Sequence, residues 1–282
     1  MRANQSFKKG FVGIKAIAKT PQREISSKLK IATLENINTS ISNIKYCVEN
    51  NIANYRISSN LIPFAEYFNW CEDKDILREL GNLRSYAKEG NISLTIHPDQ
   101  FTILNSKKDE VVESSKQIIN HHYKLAKLVG ISAIILHTGG VYGDKDSSML
   151  RFVENFNALS KEVQSLLCLE NCHYFSYSDV ALISSLCNIK TCYDLHHERV
   201  ILGSKVSLAH HIDNIDALMP FICHISSGKN SLEDKSHSDY ISSEDVKTIQ
   251  SIFTLDRFRD LVIEVEAKAK DKAIARIIKE CV

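Results

Sequence analysis

The sequence predicts a single α/β domain over residues 1–282, a (β/α)8 TIM barrel with its functional site at the C-terminal ends of the strands. Three observations carry this. Short apolar runs of strand type alternate eight times with segments of helical periodicity. No linker, low-complexity tract or composition break interrupts the alternation. The chain's 282 residues also suit eight such units, since a barrel of this kind takes about 250. An open doubly wound sheet is the competing architecture; it would place a Gly-x-Gly-x-x-Gly turn after the first strand, and the sequence has none there.

Taken in order, residues 10–14 read as the first strand and 33–49 as its helix, with Leu34, Ile37, Ile41, Ile44 and Val48 at helical spacing. A second strand at 52–58, closed by Leu61-Ile62-Pro63-Phe64, precedes a helix at 75–89, and Gly90-Asn91 forms its C-cap and turn. The alternating run from Ile92 to Ile96 then ends on His97, which Pro98 keeps out of a helix. A long helix at 109–128, stopped by Gly130, leads to a strand at 132–137. Further helices are expected at 146–162, 178–186, 206–218, 243–253 and 271–281, and further strands ending at Glu170, Asp194, Ser226 and Val265. The segment 228–240 is polar and turn-rich.

An apolar content of 44% with 24% charged residues is that of a soluble globular protein with an ample core. A net charge of +1 supplies little long-range attraction, so any affinity for nucleic acid must come from a local basic patch or from bound cations. The first nine residues contain no signal-peptide h-region and no segment is long enough to span a bilayer. The expected location is therefore intracellular, in the cytoplasm or with the nucleoid. The eight cysteines form no Cys-x-x-Cys pair, and Cys168, Cys192 and Cys223 lie inside apolar strand runs. They read as buried reduced thiols, with Cys168 and Cys172 the pair of most interest.

Six apolar runs finish on a residue of ligating type: His97, His137, Glu170, Asp194, His224 and Glu266. In a barrel all six strand ends meet at one mouth, and His197 and His237 can join them from the loops. Imidazole and carboxylate together suit Zn²⁺ or Mn²⁺, and eight ligands exceed what one ion needs, so the set points to a multinuclear site. Glu170, Asp194 and Glu266 carry about −3 against about +4 to +6 for two or three divalent ions, which leaves a site that attracts an anion such as phosphate. Carboxylates that bridge ions about 3.5–4 Å apart, as Glu170 and Asp194 can, set up in-line phosphoryl displacement. A lone strand-end histidine is more often structural, and His121-His122 and His210-His211 read as surface or packing residues. Convergence reverses that reading, because Asp194 or Glu266 after an unbroken apolar run is otherwise a buried charge without a partner, at a cost of several kcal/mol.

The motifs His97-Pro98-Asp99-Gln100-Phe101, Leu136-His137-Thr138-Gly139-Gly140-Val141-Tyr142-Gly143-Asp144-Lys145, Leu169-Glu170-Asn171, Asp194-Leu195-His196-His197, His224-Ile225-Ser226-Ser227 and Glu266-Ala267-Lys268 occur in that order. With Arg56-Ile57-Ser58-Ser59-Asn60 and His237-Ser238-Asp239-Tyr240, the combined pattern resembles the UV damage endonucleases from about residue 10 to 270. The resemblance implies a barrel related to endonuclease IV that nicks duplex DNA immediately 5′ to UV photoproducts. It further implies 3′-hydroxyl and 5′-phosphate products and two to three divalent ions, manganese ahead of zinc or magnesium. The metal ligands it implies are His97, His137, Glu170, Asp194, His197, His224, His237 and Glu266, with Glu170, Asp194, Glu266, His97 and His224 at the centre of catalysis.

The family inserts a Gln-Tyr pair and a tyrosine near the first strand into the duplex. By position these are Gln100, Phe101 and Phe11, so both tyrosines have lost the hydroxyl but kept the stacking face. Arg56, Asn60, Tyr142, Lys145 and Lys229 are further candidates for contact with DNA, and Lys107, Lys108, Lys235 and Lys268 extend a basic rim. Ile222 stands where the family carries a lysine, and Cys172 and His173 where it often carries acids. The expected partner is damaged double-stranded DNA, bound by a monomer. Two rival readings remain at this stage: a metal-dependent sugar isomerase or epimerase on a related barrel, and a protein that binds damage without cutting it.

Overall fold

The structure, a computed structural model, describes residues 22–203, 206–258 and 260–281. They fall into two compact units. One holds the described residues up to His97 together with Asn120–Ile134; the other holds Pro98–Ile119 and the chain from Ile135 onward. The strand predicted at 10–14, with Phe11, lies outside the described residues.

The first unit is built on helix α1 (Gln22–Glu49), strand β1 (Asn54–Ile57), helix α2 (Lys74–Glu89) and strand β2 (Ser93–Ile96). It also takes the second half of α3 (Asp109–Val129) and the start of β3 (Ala133–His137). Helix α1 buries Ile25, Leu29, Thr33, Ile37, Ile44 and Cys47, a stripe at helical spacing. Lys30 pins it to α2 through Asp73 Oδ2 at 2.9 Å and Asp75 Oδ2 at 2.7 Å. Asp73 in turn caps α2, accepting from the amides of Asp75 and Ile76. β1 pairs in parallel with β2, Ile57 opposite Ile96, and β2 with β3, Ile96 opposite Ile134. His122 is buried and His121 packs edge-on against Trp70, which bears out their reading as packing residues.

The second unit continues with α4 (Lys145–Asn157), α5 (Lys161–Gln164), β4 (Leu167–Glu170), α6 (Tyr177–Cys187), β5 (Lys190–Asp194), α7 (Leu195–Leu202) and α8 (Leu208–Leu218). After these come β6 (Ile222–Ile225), α9 (Ser243–Phe253), β7 (Ile263–Val265) and α10 (Asp271–Cys281). β4 and β6 are buried along their whole length, as strands covered on both faces are. Each strand from β1 to β7 pairs with the next one in sequence. Parallel pairing in sequence order, with helical crossovers, is the connectivity of a (β/α) barrel, so the predicted fold class holds with seven strands among the described residues.

Several expectations change or are met. α1 extends back to Gln22 rather than starting at 33; in the added turns Ile25 and Leu29 are buried but Ile31 is 58% exposed, which blurs the apolar stripe. The helix expected at 146–162 is two helices, since Ser160 accepts from the amide of Val163 and starts a new turn. Helix α7 was not expected; Asp194 ends β5 and caps α7 with one side chain, which puts His197 on a helix rather than in a loop. The seven described cysteines are free thiols; Cys47, Cys168, Cys172, Cys192 and Cys223 are buried as expected, whereas Cys71 and Cys187 are half-buried. Among the described residues no helix is long and apolar enough to cross a membrane.

Gly139 has φ +109, and a Cβ there would collide with Asn105, whose Nδ2 donates to Gly140 O at 2.9 Å. Gly143 also has positive φ, +85, but open space around it. Gly139→Ala is therefore expected to lose about 1–3 kcal/mol more stability than Gly143→Ala in urea unfolding, the difference being the overpacking.

Candidate metal centre

The strand ends of the second unit place the ligating side chains. His137, Glu170 and Asp194 are the last residues of β3, β4 and β5, and His224 lies in β6 directly opposite Asp194. Glu266 follows β7 and its amide donates to Ile225 O at 2.8 Å, so the ladder carries on one residue past the strand. Because side chains alternate across a strand, residues two apart share a face. Glu170 is opposite Cys192, two residues below Asp194, and Glu264 is opposite His224, two residues below Glu266.

Glu170 sits at the centre of this set. Its Oε1 lies 2.9 Å from His224 Nδ1 and 3.5 Å from His197 Nδ1, and its Oε2 lies 3.2 Å from His137 Nε2. His224 Nδ1 is also 3.4 Å from Glu266 Oε1, and His237 Nδ1 is 3.7 Å from Glu266 Oε2. Three groups with ligand atoms within 4.8 Å of one another result: Glu170, Asp194 and His197; Asp194, His224 and Glu266; Glu170, Cys192 and His224. Separations of about 3–3.4 Å are those of two ligands bound about 2.1 Å from a common ion.

A polar frame holds the set in place. Asp194 Oδ1 accepts from the amide of His197 at 2.6 Å. Asn171 closes a pair of bonds to the Asp194 backbone, donating from Nδ2 to its carbonyl at 2.9 Å and accepting from its amide at 2.7 Å. Asn171 O faces His197 Nδ1 at 2.9 Å and, as a carbonyl, accepts from it. Glu198, buried on α7, accepts from Asn171 Nδ2 and from the amide of Tyr177.

The donor set fits divalent cations. Asp194 Oδ2 is buried with no hydrogen-bond donor among the described residues, and burial pushes the Asp194 carboxyl up to about 6. Burial also opposes ionisation of Glu170, yet the charges of His224 and His137 hold it well below the usual carboxylate range. Burial opposes charge on His224 too, and Cys192, Glu170 and Glu266 more than offset it. Several anionic groups thus share one buried place, a set that bound cations would satisfy.

Of the other predicted residues, His97 directly follows β2 in the first unit and is half-buried. Arg56 is half-buried in β1, and Asn60 is exposed with its carbonyl accepting from Asn36 Nδ2 at 3.0 Å. In the second unit Gln100 is exposed and Phe101 is 73% exposed, its amide donating to Asp99 Oδ1 at 3.0 Å. Core packing is therefore not the role of Phe101. Tyr142 has φ 53 and carries Arg151 over its ring, and Lys229 is exposed. Lys145 donates to Asp179 Oδ2 at 2.6 Å. The reading from sequence missed Glu264, whose Oε2 is 3.1 Å from His224 Nε2, and gave no part to Cys192 or Asn171. The spacing Glu264-Val265-Glu266 was the available signal, since it puts two carboxylates on one face.

Fold and cluster together define a parallel (β/α) barrel enzyme with a His and carboxylate centre at its strand ends. A family model described as UV-endonuclease UvdE matches residues 4–282. The UV DNA damage endonuclease of Halalkalibacterium halodurans is 28% identical over 265 residues, which cover 90% of this chain and 82% of that protein. Among solved structures, SacUVDE is similar with a TM-score of 0.79 at 26% identity, over 90% of this chain and 88% of its own. Endonuclease IV from Thermus thermophilus shares the fold, with a TM-score of 0.64 at 14% identity over 86% of this chain and 92% of its own. The chain belongs to the UV-endonuclease UvdE family, and it is an endonuclease of the DNA-repair class.

Mn²⁺ added to chelator-treated protein is expected to raise its melting temperature, the stabilisation being about 2.7 kcal/mol at 100 times Kd. Asp194→Asn keeps the oxygen that caps α7 and removes the buried charge. It should leave the metal-free protein no less stable and abolish most of the metal-dependent gain. A full gain in the variant would exclude Asp194 from the ligand set.

Proposed function

We propose that this chain is a metal-dependent repair endonuclease that nicks duplex DNA immediately 5′ to UV photoproducts, with other lesions as further substrates, leaving a 3′-hydroxyl and a 5′-phosphate. The observation that carries the reading is the unbroken His and carboxylate constellation around Glu170 in a chain of this family. Glu170, Asp194 and Glu266 with His137, His197, His224 and His237 would hold two or three divalent ions, manganese ahead of zinc or magnesium. The place of His97 among the ligands rests on its motif. Bound there, the ions would neutralise phosphate charge and lower the pKa of an attacking water.

The protein's own residues do the rest. Glu170 turns one oxygen toward His224 and His197 and the other toward His137, so a single carboxylate sets the spacing between ligand groups. Asn171 and the α7 cap lock Asp194 and His197, so the ligands need little reorganisation when substrate arrives. Phe101 offers an exposed ring as a stacking platform, with Gln100 beside it in the chain, and Phe11 is assigned the same task from its position in the sequence. Lesion choice would then rest on deformability, because damaged steps cost less to unstack and kink than intact ones.

Lys229, Tyr142, Arg56 and Asn60 are proposed to contact the DNA backbone, and Lys145 to do so by exchanging its Asp179 partner for a phosphate. The family model runs through both compact units, which supports one catalytic domain. We further propose that it acts as a monomer inside the cell, in the cytoplasm or with the nucleoid.

The deciding experiment is a nicking assay on 5′-labelled duplex carrying one defined photoproduct, with Mn²⁺. A nick just 5′ to the lesion is expected, and Glu170→Gln should reduce it by more than the roughly 100-fold that an outer partner of a ligand costs. Lesion binding without cutting, in folded and metal-loaded protein, would move the assignment to a damage-binding protein; neither binding nor cutting would move it to a sugar isomerase. Phe101→Ala should weaken binding to the lesion duplex by about 1–3 kcal/mol with metal content unchanged, measured by fluorescence anisotropy.

A further inference from the structure

The turn between β4 and α6 carries an aromatic side chain to which the proposed reaction gives no task. Tyr174 is 58% exposed on the segment that follows Glu170 and Asn171 at the carboxyl end of β4. An exposed ring by itself is ordinary. This one is held on a fixed backbone. Cys172 and Phe175 exchange both backbone hydrogen bonds, at 2.9 and 3.2 Å, so His173 and Tyr174 form the tip of a closed turn. Cys172 and Phe175 are buried, and the His173 ring packs against His197 with centroids 4.5 Å apart. Tyr174 is left on the surface, one residue from a ring that touches the ligand cluster. Two lysines flank the turn. The Lys235 ammonium lies 5.5 Å from the centre of the Tyr174 ring, and that of Lys145 lies 5.4 Å from the centre of the Phe175 ring. The backbone around Lys235 is anchored as well: Asp234 O accepts from His196 Nε2 at 2.9 Å, and Asp234 Oδ1 accepts from the amide of Ser236 at 2.9 Å.

We infer that Tyr174 and Lys235 form a DNA contact in which the Tyr174 ring stacks on an unstacked nucleobase of the substrate while the Lys235 ammonium leaves the ring for a phosphate. The inference rests on the repair-endonuclease reading above and extends it to side chains outside that reading. Rings interleaved with cations on a fixed backbone are what a locally unpaired strand requires, since a ring offers a π face to any base and a cation neutralises the phosphate beside it. The exchange runs toward the bound state, because a lysine on a tyrosine ring at an exposed site is a weak contact and a stacked base is a stronger one. A closed turn also keeps the ordering cost low, with only the two side-chain torsions of Tyr174 left to fix. The contact of His173 with His197 puts the turn beside the ligand cluster, so the nucleotide that Tyr174 takes is a near neighbour of the one that is cut. Damaged steps surrender a base at lower cost than intact ones, so the same ring favours damaged DNA.

The test is steady-state nicking of the lesion duplex with Mn²⁺ by full-length wild type, Tyr174→Ala, Tyr174→Leu, Tyr174→Phe and Lys235→Ala, with bound Mn²⁺ measured alongside. Tyr174→Ala is expected to raise KM by about 5–100-fold, the equivalent of one lost base stack, with kcat and Mn²⁺ content held. Tyr174→Leu is apolar without a π face and should behave as Tyr174→Ala does, whereas Tyr174→Phe should restore KM to within about threefold. Lys235→Ala should lower the slope of log KM against log salt by about 1, the share of one phosphate contact. Both side chains are exposed, so the variants are expected to fold, which their melting temperatures check; should Tyr174→Ala fail, Tyr174→Leu decides. An unchanged KM in Tyr174→Ala or Tyr174→Leu overturns the inference, as does a Tyr174→Phe as poor as Tyr174→Ala. Loss of Mn²⁺ in step with activity also overturns it, since the turn would then only support His197. An unchanged salt slope in Lys235→Ala removes the transfer of its ammonium to phosphate. If wild type neither nicks nor binds the lesion duplex, the endonuclease reading falls and takes this inference with it; if wild type nicks and the Tyr174 variants match it, only the role of Tyr174 falls.

Discussion

Keeping four carboxylates charged on one face of a parallel sheet is the constraint around which the second unit is arranged. Glu170 and Asp194 are fully buried, Glu264 nearly so, and the Glu266 side chain is 11% exposed. Isolated in that setting each would be driven to its neutral form, and Asp194 has moved part of the way. What offsets the cost is imidazole. His137, His197 and His224 surround Glu170, and His224 also meets Glu264 and Glu266. Parallel strands make this arrangement available, because they bring many carboxyl ends to one place without any long-range planning in the loops.

The strand-end residues were legible in the sequence for the same reason. An apolar run that stops on His, Asp or Glu is a local pattern, and six of these named most of the centre. Glu264 escaped because its significance depends on register. Nothing in the chain itself states that it lies opposite His224 rather than His224's neighbours, and a one-residue shift would turn it to the other face. Helix α7 was hidden by economy. Asp194 closes one element and caps the next, so no turn residues separate them, and its eight residues, with two histidines among them, carry little periodic signal. In the first turns of α1 the exposed Ile31 blurred the stripe made by Ile25 and Leu29, although the backbone runs straight through it. Each miss is a place where tertiary packing, rather than local preference, decides the outcome.

Positions where the chain departs from the pattern of the UV damage endonucleases have distinct places in this frame. Ile222 is buried two residues below His224, where it adds volume and no charge. Cys172 is locked to Phe175 by two backbone hydrogen bonds, 2.9 and 3.2 Å, making a tight turn directly after Glu170-Asn171. At the tip of that turn the His173 ring packs against His197 at 4.5 Å. Burial pushes His173 down to about 4, so it is a neutral ring near pH 7 and buttresses His197 by shape. None of the three removes a carboxylate or imidazole from the cluster around Glu170.

Charge counting changes once Glu264 is included. With three carboxylates, two divalent ions already leave the centre positive, at about +1. Four carboxylates carry about −4, so two ions bring the centre only to neutrality and a third gives about +2. A chain with a net charge of +1 cannot draw a phosphodiester from a distance, and a neutral centre would not hold one at close range either. Under the proposed metal-dependent function, attraction for the scissile phosphate would then come from the last ion to bind. On that reading, affinity for the substrate and occupancy of a third position would be one equilibrium, because the fourth carboxylate shifts the number of ions at which the centre would change sign.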